Sequence, residues 1–345
     1  MAHTDAQAAH PSPARVNGPA AFLLRLLRAR EMGVLLALIL LVAYVSSETP
    51  YFFRTQNLMN VLRGMSTVGI MSIGMTMIIV TAGIDLSVGS VLAASSMLAA
   101  RLMFTETASP WLSVLVGLGF GATLGAINGL IITKIRVNPF ITTLGMLSIG
   151  RGLTLYIASN LKGTVASNIP MRNENVNFLG AGYVENVPIV DRIPFPVIEM
   201  FALVILFSLF MRYTVLGRQI YAVGANETAA RLSGVPVDMV KIFVYTITGL
   251  LAAYAGIITA GLLATSATNA GQGVELDVIA AVVIGGASLM GGEGTIFGAI
   301  IGAAIMAVLR NAFVLLHFES YMQTITIGSV IIAAVAIDQL RRRRR

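Results

Sequence analysis

The side chains able to do chemistry in this chain are sparse and stand in a background of leucine, isoleucine, valine, alanine and glycine. No Gly-x-x-x-x-Gly-Lys-Ser/Thr run is present to cradle a nucleotide phosphate. No His-Glu-x-x-His or Gly-x-Ser-x-Gly segment supplies a metal-bound water or a nucleophile, and no Gly-x-Gly-x-x-Gly opens a helix. Cysteine is absent, which removes thiolate ligands and disulfides, and His3, His10 and His317 are too few and too scattered for a metal site. The polar groups that remain inside or at the ends of apolar runs are Asp85, Asn128, Asn138, Arg151, Glu275 and Asp277. Such groups must face protein or a water-filled cavity, and a carboxamide such as Asn128 offers both donors and acceptors to a polar solute. Each also has a structural role open to it. Asp85, after Gly83, would cap a helix over 86–104, and Asn138 would cap one opening at Pro139. Asn128 would bond a neighbouring helix, Arg151 would snorkel toward the outer surface, and Glu275 and Asp277 would cap the short run they open.

The most informative stretch is 217–236. Asn226 can cap the first amides of a short helix, and Glu227 suits its positive first turn. Ala229, Ala230 and Leu232 favour the helix, Gly234 can take the left-handed position that ends it, and Pro236 prevents its resumption. A connector between helices that builds its own capped helix is longer than bundles need, and a small-residue helix with polar tips suits a groove on a partner.

These groups need elements to hold them, and the composition says what kind. Of 345 residues, 56% are hydrophobic and 11% charged, with a mean hydropathy of +0.83. A soluble domain carries about 25% charged residues, so the chain is a membrane protein. Spans of about 20 apolar residues are expected at 32–47, 58–81, 85–104, 111–133, 139–158, 194–212, 240–264, 276–290, 294–312 and 321–338, which makes the fold all-α and polytopic with about ten transmembrane helices. The 276–290 run is short and broken by glycine, so it either spans with little tilt or ends inside the protein rather than in lipid. Arg15, Arg25, Arg28, Arg30, Lys134, Arg136, Arg212, Arg218, Arg231, Lys241 and the arginines at 341–345 then share one side with both termini. Arg54, Lys162, Arg172 and Arg192 fall on the other, which predicts N-in and C-in. The net charge of +7 thus reads as orientation and lipid contact, with no nucleic-acid partner. The expected organisation is a cytoplasmic tail over 1–31, a membrane domain over 32–340 and a basic tail over 341–345. Within the membrane domain, 159–193 is an external loop and 213–239 a cytoplasmic one. The external loop, with Lys162, Arg172, Glu174, Glu185 and Asp191, either docks a partner by charge or is simply solvated. Gly117, Gly121, Gly125 and Gly129, and Gly294, Gly298 and Gly302, recur every four residues and predict closely packed helix faces. The breaks at 83–89 and 286–292 form a faint internal echo.

Three stretches resemble the permease subunit of bacterial ABC importers for monosaccharides, in the ribose permease group. They are Gly83-Ile84-Asp85-Leu86-Ser87-Val88-Gly89-Ser90, then Asn138-Pro139-Phe140-Ile141-Thr142-Thr143-Leu144-Gly145-Met146 through Arg151-Gly152, and Gly224-Ala225-Asn226-Glu227 through Ala230-Arg231-Leu232-Ser233-Gly234. The run from Glu275 to Gly286 and on to Gly291-Gly292-Glu293-Gly294 continues in the family's order, so the resemblance extends from about Asn57 to the C-terminus. It implies a multi-pass protein of the bacterial inner membrane, itself no enzyme and without a cofactor, acting in ATP-driven sugar uptake. Its implied partners are a cytoplasmic ATPase subunit that binds ATP and Mg, a periplasmic sugar-binding protein, and a second permease copy. The resemblance makes the segment from Asn226 to Gly234 the coupling helix, with Gly224, Asn226, Glu227, Ala229, Ala230, Arg231 and Gly234 as its coupling residues. Asp85, Asn128, Asn138, Arg151 and Glu275 are candidates for the substrate path. Glu293 departs from the basic residue that ribose permeases often carry in the Gly-Gly-x-Gly turn, so related sugars and polyols stay open. A secondary transporter or channel working alone is the alternative. It would want a buried carboxylate relay near the midplane, whereas Asp85 and Glu293 lie at predicted span ends.

Overall fold

Apolar runs punctuated by glycine and proline fold here into helices whose ends lie at those breaks. The computed structural model describes residues 30–159, 168–188 and 191–343. The first half contains α1 (Arg30–Glu48), α2 (Thr55–Val80), α3 (Val88–Phe104), α4 (Pro110–Leu130, continuing as a π-helical turn Ile131–Ile135) and α5 (Pro139–Ser159). Next come β1 (Asn168–Pro170), α6 (Glu174–Ala181), β2 (Tyr183–Val187) and β3 (Asp191–Pro194). The second half contains α7 (Phe195–Tyr213), α8 (Val215–Ala225), α9 (Glu227–Leu232), α10 (Val237–Leu263), β4 (Thr265–Ala267), α11 (Val274–Ile284), α12 (Ile296–Leu315) and α13 (Ser320–Arg343). Pro110 and Pro139 occupy first helical positions, where a missing N–H costs nothing.

The fold is all-α and polytopic. Among the described residues, six helices are long and apolar enough to cross a membrane: α2, α4 with its π turn, α5, α7, α10 and α12. Shorter apolar stretches lie at Met32–Glu48, Val88–Phe104 and Tyr321–Ala336, and α11 has only 11 residues. α3 and α11 can be short because most of their residues are buried against other elements. Of the two outcomes expected for 276–290, the structure shows the second: the chain leaves α11 among buried residues, Gly285, Ala287 and Ser288.

Helix α10 lies at the centre, packed on α4, α3, α2 and α6. The glycine ladder of α4 is what brings α4 so close. A Cβ on Gly117 would stand 2.9 Å from the Ser95 carbonyl oxygen of α3, and one on Gly129 would stand 2.7 Å from the Ile242 Cα of α10. Between them, a side chain at Gly125 would overlap the Tyr245 carbonyl. Gly298 and Gly302 bring α12 against Gly285 and Ala281 in the same way. α1 and the turn after it bury Val45 and Phe52 against Val308 and Ala312 of α12.

The loop expected between α5 and α7 is more than a solvated connector. Asn173 caps α6 by accepting from Val176 N at 3.0 Å, and Ile169 and Val176 are fully buried. β1 pairs antiparallel with β4 at the end of α10, and β2 with β3 form a hairpin. Lys162 lies outside the described residues, as does the tail over 1–29.

Candidate functional site

The 213–239 connection folds as two helices, α8 and α9, ahead of the start of α10. Thr214 caps α8, accepting from Gly217 N at 3.0 Å. Asn226 ends α8 and caps α9, its Oδ1 accepting from Ala229 N at 2.9 Å. Gly234 turns the chain out of α9 with φ +83°, and Val235 N closes the end on the Ala230 carbonyl at 3.0 Å. Of α9, Ala230 alone faces inward, while Leu232 is 86% exposed. An exposed leucine at the tip of a capped helix is an unusual outlay for a connector and suits a partner's apolar pocket.

Ion pairs fix how α9 leans on α10. Lys241 Nζ donates to Glu227 at 2.6 Å, and Arg231 donates to Asp238 at 3.0 Å and to Glu227 at 3.5 Å. Lys134, from the π turn of α4, donates to the other oxygen of Asp238 at 2.9 Å. Burial pushes the Glu227 carboxyl up, but the hydrogen bonds and charges of Lys241 and Arg231 outweigh it and hold the group below its ordinary range. The Asp238 hydrogen bond raises the Arg231 guanidinium in turn. The Glu227–Arg231 pair is an i,i+4 spacing visible in the sequence. The Lys241, Asp238 and Lys134 members were missed, because they reach α9 only through the turn at Gly234 and the π turn of α4.

The same connection is joined to both chain breaks. Gly224, near the end of α8, lies so close to the Val80 carbonyl at the end of α2 that any Cβ there would overlap it. That same carbonyl accepts from Gly292 N, in the α11–α12 break, at 2.8 Å. Gly291 and Gly292 take φ +86° and +75°, which a side chain would resist. Tyr221 Oη donates to the Gly294 carbonyl at 2.8 Å, and burial pushes its phenol up, so it stays a neutral donor. The end of α2, just ahead of the 83–89 run, therefore meets the 286–292 break in space, with α8 resting on both. Val80 was not singled out from the sequence, and that Tyr221 and Gly292 come together there could not be read from it, since the meeting is long-range.

The polar candidates for a path fall into separate places. Asp85 does not cap a helix from residue 86. α3 opens at Val88, and Asp85 Oδ1 accepts instead from Ser87 N at 2.7 Å and Ser87 Oγ at 2.6 Å, a local Asx turn. Asn128 Nδ2 donates to Ser87 Oγ at 3.0 Å, which joins α4 to this turn, and its Oδ1 is buried without a partner. Tyr245 and Thr143 donate to the neighbouring Ile84 carbonyl at 3.2 and 3.4 Å. Asn138 caps α5, accepting from Phe140 N at 2.9 Å. Arg151 does not snorkel: it donates to the Ala270 carbonyl at 2.6 Å and feels the charge of Glu275. Nor do Glu275 and Asp277 cap α11, whose N-cap is Gly273. Glu275 turns toward Gly89, where one carboxylate oxygen is buried unpartnered, and Asp277 pairs with Arg310. No hydrogen bond or ion pair among the described residues links the Asp85–Asn128 cluster with Arg151 and Glu275. Further polar pairs that sequence reasoning passed over are Asn57 with Asn311, at 3.0 and 2.7 Å, and Glu199 with Tyr254 at 2.6 Å.

Comparison with known proteins agrees with this architecture. Residues 57–335 match the family described as branched-chain amino acid transport system / permease component. The chain is 42% identical over 308 residues to the ribose import permease protein RbsC of Escherichia coli K12, covering 89% of this chain and 93% of that one. It is 40% identical over 310 residues to the ribose import permease of Bacillus subtilis 168, covering 90% and 93%. It is also 37% identical over 313 residues to the D-allose transport system permease protein of E. coli K12, covering 90% and 92%. No solved structure matches the chain.

Proposed function

This chain belongs to the permease-component family of the branched-chain amino acid transport system, and from that membership we propose that it is the membrane subunit of an ATP-driven importer for a monosaccharide, ribose or a closely related sugar or polyol. The names of its relatives, two ribose permeases and an allose permease, support the substrate class. The observation that carries the mechanism is the capped, exposed helix α9, continuous with α8 and so with the two buried chain breaks. A partner ATPase grips α9 around Leu232, binds ATP and Mg, and performs the hydrolysis. Closure of the ATPase pair moves α9, and α8 passes the movement through Gly224 and Tyr221 to the breaks after α2 and α11. A periplasmic binding protein brings the sugar to the face carrying α6 and the β2–β3 hairpin, and a second permease copy completes the path. Counting α1, α3, α11 and α13 beside the six long helices gives ten passes, which would keep both termini on one side, and the basic residues of that side argue for the cytoplasm of a bacterial inner-membrane protein. Because affinity resides in the binding protein, the path needs no strong charged site. That fits the dispersal of Asp85, Asn128, Asn138, Arg151 and Glu275.

Reconstitution in liposomes with the ATPase and binding protein tests this. Uptake of labelled ribose, or of another sugar in a panel, should require both partners and ATP. Uptake by this chain alone would overturn the reading in favour of a solitary transporter.

A further inference from the structure

A cavity of about 430 Å³ opens between the π turn of α4, the start of α5 and helix α9. Its charged lining is Arg136, Arg231 and Lys241 against Glu227 and Asp238, and Lys134 stands beside it on Asp238. Four cations thus face two carboxylates. Lys134, Arg231 and Lys241 are all engaged by those carboxylates, whereas Arg136 has no ion pair or hydrogen bond among the described residues. The π turn is what aims it: the wider turn and a φ of +63° at Arg136 swing the chain from α4 toward α5. Directly beside the cavity, Ile135, Phe140 and Ile141 are exposed. A free cation over a polar cavity, flanked by apolar side chains turned outward, is the profile of a headgroup site with acyl chains lying alongside.

We propose that this cavity holds the phosphate of an anionic phospholipid from the cytoplasmic leaflet, with Arg136 as its principal contact. The proposal rests on the cytoplasmic placement of α9 given above. Since a water takes about 30 Å³, the cavity accommodates a phosphodiester with hydration. The surplus positive charge favours it, and the exposed Ile135, Phe140 and Ile141 select a lipid over a free anion. A lipid seated here touches the same ion pairs that hold α9 on α10, so the lipid composition sets how firmly α9 is braced.

The test uses the purified full chain in bilayers of equal phosphatidylglycerol and phosphatidylcholine, without ATPase or sugar, so that its failure leaves the importer reading standing. Lipid retained by the chain is identified by native mass spectrometry. The chain should keep phosphatidylglycerol in preference to phosphatidylcholine. Arg136→Gln, an exposed position where the fold tolerates change, should weaken that retention roughly fivefold, from about 1 kcal/mol per basic residue near a membrane surface. Arg136→Lys should keep most of it, and Arg172→Gln on the opposite face should leave it unchanged. Displacement of the lipid by inorganic phosphate would overturn the proposal in favour of a free-anion site. Equal retention of the two lipids, or retention indifferent to Arg136→Gln, would overturn it outright.

Discussion

Replacing Gly224 by alanine adds one methyl group at the joint on which transmission depends. The new carbon would overlap the Val80 carbonyl and stand 2.6 Å from Gly292 N, so the obstacles are backbone atoms of two different segments. Neither can rotate away as a side chain would, and Val80 O is already held by Gly292 N at 2.8 Å. Relief requires α8 to back away from both breaks. Overpacking of this kind costs about 1–3 kcal/mol, which a membrane domain of this size survives. At about 1.4 kcal/mol per decade, the same strain shifts a two-state gating equilibrium by roughly tenfold if it falls on one state. The assay is paired: ATP hydrolysis by the reconstituted complex, and sugar uptake by the same liposomes. Gly224→Ala should assemble with the ATPase and hydrolyse ATP, because α9 and Leu232 are untouched, while uptake falls about tenfold. Gly234→Ala is the comparison, since its Cβ meets open space and the change costs only local left-handed strain of about 1–2 kcal/mol. Wild-type uptake in Gly224→Ala would refute the transmission argument, and so would a complex that no longer forms.

Three other expectations follow from the same geometry. Glu227→Arg sets a third cation beside Lys241 and Arg231; the chain should fold and insert, and uptake should be lost, as read by expression level and transport in parallel. Leu232→Asp removes the exposed apolar tip. Since burying a leucine contributes about 1.5–3 kcal/mol, co-purification with the ATPase should weaken by tenfold or more, with no loss of thermal stability in the isolated chain. The Glu227 carboxyl is held below its ordinary range in the fold, so its bracing is complete above the unfolded value of about 4.3. That bracing disappears as pH falls through the lower folded value. The difference in melting temperature between the chain and Glu227→Gln should therefore stay constant from neutral pH down to about 5 and shrink below it.

Most of the helical architecture was legible because apolar runs, proline starts and glycine stops are local signals. α9 was legible for the same reason, with its cap, its first-turn acid and its left-handed exit all lying within ten residues of one another. The glycine ladder on α4 was readable as a packing face, although its partner α10 was not. What escaped depends on pairings distant in sequence. β1 has no strand signal of its own and exists because β4 lies beside it. The meeting of Val80, Gly224 and Gly292 joins three segments through backbone atoms, which carry no sequence label at all. Asp85 was misassigned because a carboxylate before a helix can serve its first turn or the turn ahead of it, and Ser87 claims it for the latter. Span counting by length was strained by α3 and α11, whose surroundings are protein rather than lipid.

A chain emerging from the ribosome meets this geometry in order. α11, at 11 residues, is about 16 Å long, well short of the roughly 30 Å hydrocarbon core. Left alone in lipid, the amides of the glycine-rich segment after it would lack acceptors, at several kcal/mol each. One of its acceptors, the Val80 carbonyl, was made far earlier. The last fifth of the protein, from α11 onward, therefore cannot be released into the bilayer helix by helix. It must be held at the insertion machinery until α2 stands ready to receive it, so biogenesis proceeds by late docking of a C-terminal unit onto an N-terminal one already in the membrane.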